Sequence, residues 1–374
     1  MNVVQPARRL PLQTLVSGQL MQDRLTQDRL TQDRLIQDRL IQDTDQISGC
    51  FSQPPMSSRS TYTLLGDIGA TNARLSLLVN GAFGPVAGFE VARYPKFADA
   101  VAEFLQPHEN GTQVTQALIA AAGPVEGGRC ALTNCPWIID AAELKSTFGL
   151  ARAHVVNDFE ATARSLSRLT EKDLWPIGRG QAVQGAPVVV LGPGTGLGVA
   201  GLIGEMVVAT EGGHATMAGA SRREDALIDH LRQEFGHVSA ERLISGAGLE
   251  NIYRATVALD GGQVPPRTAA QITKAALAGT CPSARAALEA FCAFLGAFAG
   301  NVALTFGARG GVYIAGGIAP RIGAFIADSA FRARFEAKGR FRSYLEAIPT
   351  NIIIHPAATF VGLASLAGDA AHVA

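Results

Sequence analysis

The sequence predicts an α/β fold. Three observations support it. Beyond residue 60, short strand-like runs, several of them apolar on both faces, alternate with stretches of helical periodicity. Serine or aspartate followed three residues later by glutamate opens some of these stretches, and glycine closes them. Two similar glycine-rich turns, in different halves of the chain, each join one apolar strand-like run to the next.

Residues 62–65, 74–79, 117–121, 154–156, 188–191, 197–203, 312–315 and 352–354 read as strands. Asp140 with Glu143 makes a capping-box-like helix start, and Gly149 a stop. Ser221 with Glu224 repeats the pattern, followed by Leu227, Ile228, Leu231 and Phe235 on one face and Gly236 at the end. Ser283 opens a longer helix whose Leu288, Phe291, Cys292, Leu295, Phe298 and Val302 recur at helical spacing and read as core. Gly296 and Gly300 in that helix leave room for another element to approach closely.

Composition narrows the function. The 374 residues are 47% hydrophobic and 17% charged, a length more natural for two domains than one. The 32 basic residues balance 32 acidic ones, which argues against a nucleic-acid footprint or an anionic-membrane surface. The longest strongly apolar stretch, residues 290–300 between Glu289 and Asn301, reads as too short to span a bilayer. Cys50, Cys130, Cys135, Cys281 and Cys292 form no CxxC pair, so neither a disulfide framework nor a zinc knuckle is indicated. The expectation is a soluble, cytoplasmic protein.

The first 59 residues differ in kind. From Leu20 to Asp43 a five-residue unit repeats (LMQDR, LTQDR, LIQDR). Five residues advance a helix by about 140° beyond a full turn, so successive leucines build no single stripe. A partner helix is one reading; a low-complexity, disordered extension is the expected one. No signal-peptide pattern precedes the repeat. Met56 lies just before the first strand-like run, and translation is expected to begin there, which an intact mass would test.

The two turns are the most informative feature. The first runs Leu65-Gly66-Asp67-Ile68-Gly69-Ala70-Thr71-Asn72-Ala73-Arg74, and the second Leu191-Gly192-Pro193-Gly194-Thr195-Gly196-Leu197-Gly198. A dinucleotide fingerprint or a Walker loop leaves its turn into a helix, and the chain has no Gly-Lys dipeptide. A strand–turn–strand loop still suits phosphate: glycines bare successive backbone N–H groups, and threonine hydroxyls add donors. Two such turns in two halves, one with an aspartate, point to a duplicated nucleotide-binding architecture. A third element, Gly316-Gly317 after residues 312–315, has room for a flat base and ribose.

The runs GDIGATNARL, HVVNDFEATA, LGPGTGLGVA, TEGGHA, HVSAERLISGAGLENIYRA and IAGGIAPR resemble the bacterial ATP-dependent glucokinase family, in the family's order, from about residue 61 onward. The resemblance implies a two-domain actin/hexokinase-like (ribonuclease H-like) fold with an interdomain cleft. Residues 60–169 plus 356–374 would form the small α/β domain, and 170–355 the large one. It also implies transfer of the ATP γ-phosphoryl group to the 6-hydroxyl of D-glucose, and a homodimer.

Phosphoryl transfer to an alcohol needs a base, a divalent cation and donors on the phosphates. Asp158 follows the strand 154–156, where it either projects into a cleft or caps a helix. By resemblance Asp158 is the catalytic base and Asn157 its neighbour that binds a sugar hydroxyl. In Glu211-Gly212-Gly213-His214 the glycines let a small polyol approach while carboxylate and imidazole grip its hydroxyls. By resemblance Glu211, His214 and Glu241 are hexose ligands; Glu241 alone would read as a solvated helix residue. Asp67 suits Mg²⁺, directly or through water, or is simply a turn former. Gly69, Ala70, Thr71, Asn72, Gly192, Gly194, Thr195, Gly196, Gly316 and Gly317 complete the nucleotide side. Arg74 is assigned no phosphate role, because strand alternation could expose it. Ala70 stands where many relatives carry Gly and Pro193 where many carry Ala, which suggests tuning. The zinc-binding cysteines of the related repressor/open-reading-frame/kinase group are absent, so no structural zinc is expected. Asn134 is a further candidate for contact with the sugar. The rivals are a kinase of another hexose or phosphoryl donor, and a non-catalytic sugar sensor.

Overall fold

The computed structural model describes residues 61–108, 113–132, 135–263 and 265–369. The pentapeptide repeat, Cys50, Met56 and Asn134 lie outside the described residues. The described residues all fall within one compact unit.

The first half runs β1 (Thr61–Ile68), β2 (Asn72–Val79), β3 (Ala82–Phe83), β4 (Ala87–Glu90), α1 (Phe97–Leu105), β5 (Gln113–Ala121), β6 (Arg129–Ala131), β7 (Ile138–Asp140), α2 (Ala141–Phe148), β8 (Arg152–Asn157) and α3 (Asp158–Ser165). The second half continues with β9 (Leu174–Pro176), β10 (Val188–Pro193), β11 (Leu197–Ile203), β12 (Met206–Thr210), α4 (Arg222–Phe235), α5 (Gly246–Leu259), α6 (Ala269–Leu277) and α7 (Pro282–Phe306). It closes with β13 (Gly311–Ile314), α8 (Gly323–Asp328), α9 (Phe331–Glu336), α10 (Arg342–Glu346), β14 (Thr350–Ile353) and α11 (Ala358–Asp369).

The expected duplication is visible in the sheets. One is ordered β3-β2-β1-β5-β8, with β4 also on β2; the other is β12-β11-β10-β13-β14-β9. In each, an antiparallel hairpin (β1–β2, β10–β11) is followed by two parallel strands, β5 and β8 or β13 and β14. Both hairpins close at the glycine turns found in the sequence.

Period-two alternation divides each sheet between two cores. Leu64 and Ile68 face α1 and α2, packing with Phe97, Val101, Trp137 and Leu144. Leu65 faces the opposite way, onto Phe360 and Leu363 of α11. In the second sheet Val189, Leu191, Val312 and Ile314 join the large helical core, while Val190, Ala200 and Ile353 face Ala163 and Phe159 of α3. Thus α3 serves both halves: Ala163 packs on the second sheet, and Ala161 on α11. Gly362 permits that crossing, since a Cβ there would run into the Ala161 carbonyl.

Helix ends follow their signals. The Asp140 carboxylate accepts from Ala142 N (2.8 Å) and Glu143 N (3.2 Å), and α2 stops at Gly149 in the left-handed region (φ 63°). The long helix α7 departs from expectation in two ways. It starts one residue earlier, with Cys281 at the cap and Pro282 in its first turn, because proline is favoured where no N–H is needed. It is also longer than the apolar stretch suggested: its 25 residues have the length and composition to cross a membrane, yet 78% of the apolar window is buried inside the protein. Gly296 and Gly300 provide the foreseen close approach, which α9 makes through the Phe331 and Phe335 carbonyls.

Candidate active site

The site residues collect at the C-terminal ends of the parallel strands β1, β5 and β8, where open α/β sheets place ligands. Asp67 is the penultimate residue of β1, beside Ala120 of β5, and Asn157 ends β8 beside Ala121. Asn157, rather than Asp158, caps α3. Its Oδ1 accepts from Phe159 N (2.9 Å) and Glu160 N (3.3 Å), and its Nδ2 donates to Gly123 O (3.0 Å). That leaves one amide hydrogen for a ligand. Capping by Asn157 frees Asp158, the first residue of α3, from that duty.

The Asp158 carboxylate accepts from Phe159 N (3.0 Å). Solvent reaches part of the side chain, yet its carboxyl is pushed up to about 7. Burial is the main cause, followed by the negative charge of Asp67; backbone N–H groups at Phe159 and Asp158 oppose them, and Glu211 adds to the rise. A carboxylate poised near neutrality is suited to taking up a proton. Cys130 lies in the same field: burial pushes its thiol up to about 11, with Asp158 and Glu211 acting in the same direction. Carboxylates from both halves of the fold are therefore within electrostatic reach of one another.

Glu211 caps and His214 ends a short 3₁₀ turn, with Oε2 and Nε2 3.8 Å apart and both side chains more than half exposed. The adjoining Gly213 has a packing reason the sequence did not reveal: a Cβ there would meet the Leu197 carbonyl. Glu241 is held beside this turn by its own N–H, which donates to Gly213 O (2.9 Å). Its Oε2 accepts from Leu197 N (2.9 Å), so this carboxylate also braces the second glycine turn.

The first turn is held by Gly69 N donating to Asn72 O (3.0 Å), with Thr71 and Asn72 exposed. Arg74 is no surface bystander. Its guanidinium pairs with Asp67 Oδ2 (Nε at 3.0 Å), donates to Pro356 O (2.9 Å) and lies 5.5 Å from the Phe360 ring centroid. In the second turn, a Cβ at Gly194 would meet nothing within 4 Å, Thr195 is exposed, and Gly317 opposite is equally open. Gly192, Gly196 and Gly316 give their space to protein atoms, namely the Ala315 backbone with Phe159, the Glu241 carboxylate, and the Pro193 carbonyl. Gly194 O also accepts from Gly246 N (2.9 Å), setting the start of α5 against the turn.

A family model described as Glucokinase matches residues 64–370. The chain belongs to the glucokinase family. A glucokinase of Paramagnetospirillum magneticum is 48% identical over 317 residues, which cover 83% of this chain and 98% of that one. The crystal structure of a glucokinase from an Antarctic psychrotroph superposes with a TM-score of 0.72 at 33% identity, covering 82% of this chain and 99% of the other. A glucokinase from Balamuthia mandrillaris, solved in complex with glucose, shares the fold with a TM-score of 0.71 at 23% identity, covering 83% and 94%. The hexokinase-like fold expected from the sequence is thus the fold observed.

Within this glucokinase-family fold, Asp67, Asn157, Asp158 and Glu211 come together, Glu241 is tied to the Glu211–His214 turn, and Gly194, Thr195 and Gly317 present open surface. Two participants escape sequence reasoning: Gly123 receives the Asn157 amide, and Phe159 packs against Gly192 and Gly198. Gly123-Pro124 directly after a strand is a readable signal for the first, whereas Phe159 depends on contacts between distant parts of the chain. Arg74, a candidate beside Asp67 with no phosphate role assigned to it, faces Asp67 across the β1–β2 hairpin and holds its carboxylate. Among the described residues no three His, Cys, Asp or Glu side chains gather to hold a metal.

Proposed function

We propose that this chain transfers the γ-phosphoryl group of ATP to the 6-hydroxyl of D-glucose, with Asp158 as general base. The observation that carries the assignment of the base is Asp158 itself: first in a helix whose cap is supplied by Asn157, and poised near pH 7 by burial and by Asp67. The family supports the glucose and ATP substrates.

In this reading Asn157, Glu211, His214 and Glu241 hold the sugar hydroxyls, so that the 6-hydroxyl donates a hydrogen bond to Asp158. The proton passes to that carboxylate as the oxygen bonds to the γ-phosphorus and the bond to the ADP oxygen breaks. Gly69, Ala70, Thr71 and Asn72 in the first turn and Gly194, Thr195 and Gly196 in the second offer backbone and hydroxyl donors to the phosphates, with Gly192 shaping the second turn. Gly316 and Gly317 border the base and ribose. The donor set fits Mg²⁺, which takes one or two carboxylates and otherwise phosphate and water oxygens. Both Arg74 bonds to Asp67 fall on Oδ2, so Oδ1 would be the oxygen that holds the cation, directly or through water. Mg²⁺ bound with ATP would neutralise charge on the transferring group.

The proposal extends to organisation. Residues 60–169 with 356–374, and 170–355, act as two lobes that close on sugar and exclude water from the reaction. The protein works as a cytoplasmic homodimer feeding glycolysis, without nucleic-acid or membrane partners. The test is ADP production with Mg-ATP across glucose, mannose, fructose, N-acetylglucosamine and no sugar, with Asp158→Asn as the blank. Glucose-dependent turnover lost in the blank is expected. A thermal shift on adding glucose without turnover on any sugar would instead leave a binding protein.

A further inference from the structure

Phe159, next to the base, reaches across to the second half of the fold. Its backbone N–H donates to both the Asn157 amide Oδ1 (2.9 Å) and the Asp158 carboxylate Oδ1 (3.0 Å). Its ring packs with Ala163, Val190, Ala200 and Ala315 in the core that covers the second sheet. The floor under the ring is glycine on both strands. Gly192 of β10 and Gly198 of β11 are direct cross-strand partners, the second pair from the end of the hairpin that closes at the second turn. A Cβ at Gly198 would overlap the Phe159 ring, and one at Gly192 would lie 2.8 Å from its Cζ. An aromatic ring over a bare glycine pair covers exposed backbone and fixes the position of both partners.

We propose that Phe159 is a positioning residue that registers the base Asp158 against the phosphate-binding second turn. One residue thereby fixes two parts of the reaction: its amide orients the carboxylate, and its ring rests on the strands that carry Gly194 and Thr195. The glycines at 192 and 198 are a socket for this ring, a role separate from contact with phosphate. Of the sugar-holding residues only Asn157 bonds to Phe159, and it does so through the Phe159 backbone N–H, which substitution of the side chain keeps, so loss of the ring acts on the alignment of base and phosphate and not on sugar capture.

This inference rests on the reading of Asp158 as base, and the test separates the two. Steady-state kinetics and glucose affinity by calorimetry are measured for Phe159→Ala, Phe159→Leu, Gly198→Ala, Phe159→Ala/Gly198→Ala and Asp158→Asn, with a melting curve for each. Misplacement of reacting groups by about 1 Å costs on the order of 10²-fold. The expected result for Phe159→Ala is a fall in kcat of roughly that size, with glucose affinity within about twofold, and with Phe159→Leu intermediate. Gly198→Ala alone is severely impaired because no room remains beside the ring; removing the ring in the double variant restores folding, so its melting temperature exceeds that of Gly198→Ala. A folded Phe159→Ala with wild-type kcat overturns the proposal. So does a variant whose glucose affinity, kcat and melting temperature all fall together, or a double variant no more stable than Gly198→Ala. An active Asp158→Asn, by contrast, overturns the base and with it the starting point.

Discussion

Asp158→Asn tests the electrostatics of the site as well as its chemistry. The carboxyl is poised at about 7 in the folded protein against 3.8 for the unperturbed group. Between those values the folded protein holds a proton that the unfolded chain has released, so stability is lost as pH rises through that window and the full penalty applies above pH 7. At ~1.4 kcal/mol per pH unit the ceiling is ~4 kcal/mol; partial solvent access brings the expected value to about 2 kcal/mol. Asparagine keeps the shape, can accept the Phe159 N–H, and carries no charge to bury. The variant is therefore expected to melt roughly 3 °C above the parent at pH 8, and at the same temperature near pH 4, while turnover drops by about 10²–10⁴. Scanning calorimetry at the two pH values and a coupled ADP assay measure both halves. Equal melting temperatures at pH 8, or a gap that widens towards pH 4, would refute the burial argument.

The same poise predicts that kcat/KM for glucose falls on the acid side of about pH 7 as the base protonates, and that Asp67→Asn moves this limb to lower pH by removing a neighbouring negative charge. Glu211→Ala should raise KM for glucose strongly with little change in KM for ATP; parallel changes in both would count against its role at the sugar. Arg74→Ala removes the clamp between Asp67, Pro356 and α11. It should raise the Mg²⁺ concentration for half-maximal activity and lower the melting temperature, and an unaltered Mg²⁺ titration would dismiss the clamp. Gly296→Ala forces a methyl group against the Phe331 carbonyl where α9 crosses α7. A cost of about 1–3 kcal/mol is expected in denaturant unfolding, since overpacked cores yield only by displacement.

Much of this protein is legible along the chain. Strands β10 and β11, with their apolar runs and glycine turn, are found nearly residue for residue, and the duplication follows from comparing that turn with the one after β1. Helix α2 is announced by Asp140 and ended by Gly149. The helices α5, α6 and α11 are less legible, because small apolar residues on most faces blur the 3.6-residue period. The short β12 also escapes, being fixed mainly by its pairing with β11.

Local chemistry along the chain already shows which residues can turn, cap, alternate and carry a charge. Those properties depend on a few neighbours, and so Asp67, Asp158, Glu211 and the glycine turns could be singled out in advance. How each of them is occupied depends on contacts that form only when the chain folds. Glycines that look alike in sequence divide into Gly194 and Gly317, which are open, and Gly192, Gly198 and Gly213, which are filled by a ring or a carbonyl from elsewhere in the chain. Arg74 stands opposite Asp67 in the β1–β2 hairpin, and it is covered as well as paired because the chain returns at Pro356 and Phe360 to meet its guanidinium. Asp158 acquires its poise from burial and from Asp67, two strands away in the sheet. Burial and charge proximity are properties of folded space, and no local pattern of residue types encodes them.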